Sequence, residues 1–224
     1  MSYYFYGTPL SSLERVMMEP PLTGRRGGGK TRFRYTKEMC DCTLCAVRPC
    51  PGINKCPCFD EYLEAGAWDY NQLLRRLNSG VEHGRLHERL RLLSLTPELN
   101  PWRDEAHRGR LLRLRRAGAI GNHCKSDYLA AMFLLTADKE LWERCIFHIA
   151  APRIYFQDIS ITGLDEPGYT LYQNAKDFYV SQPHIDEDWL SDPKETDDEL
   201  FALLMAAFVI RAYGLMSFEE GGKA

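Results

Sequence analysis

Six of the eight cysteines fall within nineteen residues, as Cys40-x-Cys42-x2-Cys45-x4-Cys50-x5-Cys56-x-Cys58, with Pro51, Gly52 and Pro57 supplying the tight turns that aim the thiols at one point. A segment this short and polar folds only around a cross-link, either a disulfide or a metal. Met1 to Gly7 lacks the basic start and apolar stretch of a secretory signal, and no run of 18 apolar residues occurs anywhere. The expectation is therefore a cytoplasmic chain without a membrane segment, in a compartment where disulfides are rare and metal is the natural cross-link.

Zinc wants four soft thiolates in a tetrahedron, and the Cys42 to Cys45 knuckle offers two of them. Cys50 and Cys56 complete the expected set, with Cys58 in reserve for the last place. Two thiols remain over, so a second zinc on bridging thiolates is the alternative to one zinc with spectators. An iron–sulfur cluster also takes four cysteines, but its tight Cys-x2-Cys-x2-Cys-x3-Cys-Pro spacing is not matched. A closed four-thiolate site has no open position, so its expected role is to fold the segment rather than to catalyse.

The rest of the chain reads as helical. Ser11 or Ser12 caps a short helix over Leu13 to Met18 that Pro20-Pro21 stops; Asp60 and Asp69 each cap another, the second over Tyr70 to Leu77. Leu86, Leu90 and Leu93 mark a basic amphipathic helix, and Leu111 and Leu114 mark a second that begins near Asp104. Asp127 caps Tyr128 to Thr136, Asp138 opens the next segment, and a last helix spans about Thr196 to Tyr213, closed by Gly214. Residues 154–161 have strand composition but no strand to pair with. These patterns predict a mainly α protein: residues 1–66 hold a short helix, a basic glycine-rich loop and a small zinc-stapled module, and residues 67–224 a helical domain.

The remaining motifs do not add up to a catalyst. Gly24 to Thr31 matches the phosphate-loop pattern Gly-x4-Gly-Lys-Thr, but Pro20-Pro21 precedes it and Arg32-Phe33-Arg34-Tyr35 follows, where a buried strand and a helix are required. His83 and His87 stand four apart without a carboxylate of the zincin kind, and Cys124 beside His123, like Cys145, reads as a structural thiol in apolar surroundings. No enzymatic activity is expected.

Charge is distributed unevenly. Residues 75–125 carry 12 basic and 5 acidic side chains, residues 151–224 carry 5 and 14, and residues 186–199 alone hold 8 acidic groups and one lysine. Two functions follow. A nucleic-acid-binding regulatory module would use Arg25, Arg26, Lys30, Arg32 and Arg34 with Arg108, Arg113 and Arg115 to neutralise phosphates. A protein-binding module would present Asp186, Glu187, Asp188, Trp189, Asp197 and Asp198 to a basic partner, as a surface that imitates a phosphate backbone. The arginines of 108–116 equally suit pairing with this chain's own acidic end. The net charge of -3 and the lack of aromatic residues among those arginines favour the protein binder. Its carboxylates are expected to be solvated and to contribute little to stability.

Asp104-Glu105-Ala106-His107-Arg108, together with Asp127-Tyr128-Leu129-Ala130-Ala131-Met132-Phe133-Leu134-Leu135-Thr136-Ala137-Asp138-Lys139-Glu140-Leu141-Trp142, resembles a domain family of unknown function from bacterial integrative and conjugative elements and phages, over residues 102–213. Phe5-Tyr6-Gly7-Thr8-Pro9-Leu10 and the zinc-knuckle-like block Cys42 to Cys58 are similar to small cysteine-rich proteins encoded on such elements. The resemblance implies an accessory protein of a mobile element or phage, of the kind that acts on host defence as anti-CRISPR proteins do against a defence nuclease. It assigns no catalytic residue.

Overall fold

Tyr128 to Ala137 are ten consecutive buried residues, so the helix that carries them is apolar on every side and has to be enclosed by others. The computed structural model describes residues 7–12, 36–40, 42–45, 47–97, 99–121, 124–180 and 186–214. Among them the order is α1 Phe59–Glu64, α2 Tyr70–Asn78, α3 Gly84–Leu95, α4 Glu105–Arg116, α5 Ser126–Ala137, α6 Lys139–Cys145, β1 Ile149–Ala150, β2 Arg153–Ile154, α7 Glu166–Tyr179, α8 Glu187–Ser191 and α9 Asp198–Tyr213, with short 3-10 turns between. The fold is mainly α, as the periodicities predict. Among the described residues no helix is long and apolar enough to cross a membrane. The helix expected over 13–18, the phosphate-loop pattern and His123 lie outside the described residues.

The chain divides after Asp69 into two compact units. In the second, α5 is the central helix: α7 and α9 pack along it, α4 and α6 adjoin it, α3 lies against α2, and α8 lies on α3. The aspartates do much of the punctuation. Asp104, Asp138, Asp165, Asp186 and Asp197 each cap a helix by accepting a backbone N–H two or three residues on, at 2.6 to 2.9 Å. Two expected caps are displaced. Asp60 lies inside the first turn of α1, whose N-cap is Cys58. Asp127 lies inside the first turn of α5, where its carboxylate accepts from Arg211 Nε at 2.8 Å.

The extended segment expected over 154–161 stops almost at once. The only sheet among the described residues pairs β1 with β2 antiparallel, Ile149 opposite Ile154. The chain then turns through a 3-10 turn at Phe156–Asp158, because the aromatic side chain that suggested a strand has a helix to pack on. The Phe156 ring contacts those of Tyr172 and Tyr179, and Tyr172 Oη donates to the Phe156 carbonyl at 2.8 Å. That helix, α7, is announced by Asp165-Glu166-Pro167-Gly168, an N-cap with proline in the first turn. Gly168 is required there, since a Cβ would lie 2.8 Å from the capping oxygen of Asp165.

The C-terminal end of α5 is buried, so its carbonyls need partners that water cannot supply. Arg110, itself buried, donates to the carbonyls of Thr136 at 2.7 Å and Ala137 at 3.3 Å. One turn earlier, His107 accepts the Arg103 backbone N–H on Nδ1, which fixes the tautomer that donates from Nε2 to the Phe133 carbonyl at 3.0 Å. Burial, reinforced by the neighbouring Arg110, drives the His107 pKa down to about 3, against partial support from the Phe133 carbonyl. The folded state therefore keeps the imidazole neutral while the unfolded chain protonates it near its ordinary value. The stabilisation is whole above about pH 6.5 and is lost at up to about 1.4 kcal/mol per pH unit as pH falls toward the folded value. Stability measured by urea denaturation between pH 7 and pH 4 should fall less steeply in His107→Gln, and parallel slopes would contradict this account.

Candidate functional site

In the N-terminal unit the cysteines sit on tight turns. One 3-10 turn spans Cys42–Leu44, another spans Ile53–Lys55 after Gly52 at φ +75°, and Cys58 begins α1. Arg48 braces the first turn by donating to the Cys42 and Thr43 carbonyls at 3.2 and 2.6 Å. The thiol of Cys56 is pushed up first by burial and then by repulsion from Cys42, Cys50 and Cys45, while the Cys58 backbone N–H donates to its sulfur. Of the expected ligands Cys42 and Cys50 are exposed and Cys45 and Cys56 half-buried, while the reserve, Cys58, is buried. Among the described residues, which include all eight cysteines, no disulfide forms and no three His, Cys, Asp or Glu donors converge into a metal-ligating group. Four thiols are a donor set whose chemistry suits zinc.

In the C-terminal unit the acidic segment is held in place by side chains that sequence reading passed over. Arg89 of α3 donates to the carbonyls of Leu190 at 2.8 Å and Thr196 at 2.6 Å and to the Asp198 carboxylate at 2.9 Å, with its guanidinium 4.1 Å above the Phe201 ring. His83 accepts the Leu86 N–H on Nδ1, capping α3, and its Nε2 pairs with Asp188 at 3.1 Å. Arg103 bridges Asp138 at 3.2 Å and Glu199 at 2.6 Å. The acidic end therefore does pair with the basic middle, through His83, Arg89 and Arg103.

Of the proposed nucleic-acid contacts, Arg25, Arg26, Lys30, Arg32 and Arg34 lie outside the described residues. Arg108 pairs with Glu105 at 3.6 Å, Arg115 is half-buried, and Arg113 is exposed. Of the partner-facing set, Glu187, Asp188, Asp197 and Asp198 are exposed and Trp189 is half-buried. Asp186 and Asp197 are helix caps, which corrects the expectation that these carboxylates matter little to stability. No family model, no curated protein and no solved structure matches the chain.

The other reactive candidates are structurally engaged. His83 is a cap and His87 stands exposed on α3, so the two do not form a metal pair. Cys145 is buried, and burial pushes its thiol up to about 12, the reverse of what a nucleophile needs. Cys124 donates to the Ala119 carbonyl at 3.8 Å. The signal that would have found Arg89 is its place in the α3 stripe: it adjoins Leu86 and Leu90, so a charged side chain there has to meet acceptors on whatever helix covers it.

Proposed function

We propose that this chain is a non-enzymatic, zinc-binding accessory protein of a bacterial mobile element or phage that acts by binding another protein through the acidic surface of α8 and the start of α9. The carrying observation is that this surface is pre-organised. Two of its aspartates cap helices, Arg89 pins the backbone at the end of α8 and ahead of α9, and among the described residues the carboxylates outnumber the two arginines and one imidazole described above as reaching them. Carboxylates fixed on a rigid backbone offer a basic groove what a row of phosphates offers, without the entropy loss of ordering a loop. A host defence nuclease, whose nucleic-acid groove must be basic, fits that surface, and filling the groove would inhibit it in the anti-CRISPR manner. The engagement of His83 and Cys124 in structural bonds and the burial of Cys145 support a binding protein over a catalyst.

Glu187 and Glu195 carry none of the caps or ion pairs above, so Glu187→Lys with Glu195→Lys alters the surface without loosening it. From a bacterial host lysate at about 0.15 M ionic strength, where screening leaves close charges effective, the immobilised wild-type chain should retain a basic protein that added DNA displaces. The double variant should lose it. The reading fails if the double variant retains the same partner, or if the chain binds DNA or RNA directly, in a salt-dependent way that Arg108→Glu, Arg113→Glu and Arg115→Glu abolish.

A further inference from the structure

Phe147 breaks the burial pattern of its residue type. Phe59, Phe133, Phe156, Phe178 and Phe201 are buried, whereas Phe147 is 88% exposed. Its backbone is nonetheless fixed. Phe147 sits in the 3-10 turn Ile146–His148, between the buried Cys145 that ends α6 and the β1–β2 hairpin. The hairpin is anchored in turn: the His148 carbonyl accepts the Tyr155 N–H at 2.9 Å, Ile154 is buried, and the Ile154 N–H donates to Tyr179 Oη of α7 at 3.4 Å. Ile146, just before Phe147, and Tyr155, across the hairpin from His148, are exposed as well. Apolar groups held on a fixed backbone lose little entropy when a partner covers them, which is what an interface anchor requires.

This patch lies at the far end of the acidic face. Arg103 joins the start of α9 to the start of α6 by bridging Glu199 and Asp138, at 2.6 and 3.2 Å. From there Glu140, Glu143 and Phe147 follow at i, i+3 and i+7, one side of a helix, and the backbone is still helical at Ile146. Helical rise from Asp138 to Phe147 puts the ring roughly 15 Å from the bridge, within the span of one interface of ordinary size. Along that path the charge fades. Glu140 pairs with Arg144 and Glu143 with Lys139, all on α6, so the face passes from carboxylates in excess, through neutralised pairs, to apolar groups. We propose that Phe147 is the apolar anchor of the partner-binding face, and that the partner is a protein whose basic surface turns apolar at one end. Its cations meet the carboxylates of α8 and the start of α9, and its apolar end covers Phe147. This rests on the acidic-surface reading above and narrows the partner, because imitation of a phosphate backbone asks only for charge. A lipid surface or a second copy of this chain would cover the ring without satisfying the carboxylates beside it.

The test uses the full chain and two labelled peptides of about 20 residues, ~30 Å long as helices. Both share a lysine-rich first half; the second half carries leucines on one face in the first peptide and serines there in the second. By fluorescence anisotropy the lysine–leucine peptide should bind the wild type roughly 10- to 100-fold more tightly than the lysine–serine peptide. Phe147→Ser should bring the two affinities together at the lysine–serine value, with an unchanged denaturation midpoint because the ring is exposed in the fold. Leu92→Ser, which removes an exposed apolar group from α3, should keep the discrimination. Glu187→Lys with Glu195→Lys should weaken both peptides. A wild type that binds neither peptide, or a double variant that binds both as the wild type does, overturns the acidic-surface reading and this proposal together. If the double variant releases the peptides but the wild type does not distinguish them, or Phe147→Ser still does, this proposal alone is overturned. A chain that dimerises, or binds phosphatidylcholine vesicles, in a way that Phe147→Ser abolishes would make a second copy or a lipid the occupant, and overturns it as well.

Discussion

Arg89→Met should lower the stability of the helical unit by about 3 kcal/mol, while Asp198→Asn, which removes the carboxylate bound to the same guanidinium, should cost far less. The difference follows from where the partners lie. Asp198 is 95% exposed, and water replaces Arg89 there at little cost. The Leu190 carbonyl at the end of α8 and the Thr196 carbonyl between α8 and α9, beside the buried Leu190 side chain and the buried Thr196, lose charge-assisted donors that methionine cannot replace. The lost contact with the Phe201 ring adds up to about 1 kcal/mol. Arg89→Lys keeps the charge but not the fork, and should recover less than half. Denaturant melts of the four proteins, monitored by helical circular dichroism, check the ranking. An Asp198→Asn loss equal to that of Arg89→Met would mean that the ion pair, and not the carbonyls, holds the segment. Arg89→Met should also weaken partner binding with every acidic side chain intact, because the surface would no longer be pre-organised.

What could be read from the sequence was the part that depends on local pattern. Leu86 and Leu90 do face the core, Asp104 and Asp138 do cap their helices, and Gly214, at φ +84°, does close α9. The misses share a cause: the deciding partner lies far along the chain. α7 has a plain N-terminal signature, yet the aromatic run ahead of it reads as strand until α7 itself is there to pack against Phe156. Arg110 looks like one more cation in a basic helix. Its burial becomes apparent only when the C-terminal carbonyls of α5 are placed beside it, 26 residues away. Arg89 differs from Arg91 only in which side of α3 it occupies; Arg91 pairs locally with Glu88 at 2.8 Å in solvent, whereas Arg89 reaches residues more than 100 positions on.

The same distinction decides how the acidic surface must be probed. Reversing Asp186, Glu187, Asp188, Asp197 and Asp198 together to lysine is the obvious test of an electrostatic interface, but it should destabilise the helical unit on the order of 4 kcal/mol. Removing the two caps costs about 1 kcal/mol each. Lysines in the first turns of α8 and α9 oppose the helix dipole where carboxylates favoured it, at roughly 0.5 kcal/mol each. Asp198→Lys would also set a cation against Arg89, and Asp188→Lys would set one against His83. Loss of binding in that variant would follow from unfolding of the segment as readily as from loss of charge. Glu187→Lys with Glu195→Lys turns two negative charges into two positive ones and breaks none of these caps or ion pairs, so it should lose only the roughly 0.5 kcal/mol that a lysine in the first turn of α8 costs, while binding is lost. The two variants should therefore separate: the five-fold reversal loses stability and binding together, and the two-fold reversal loses binding with little stability. Should the five-fold variant melt with the wild type, the caps at Asp186 and Asp197 would not be the anchors of this surface, and its rigidity would have to come from Arg89 and the packing of Leu190 and Phe201.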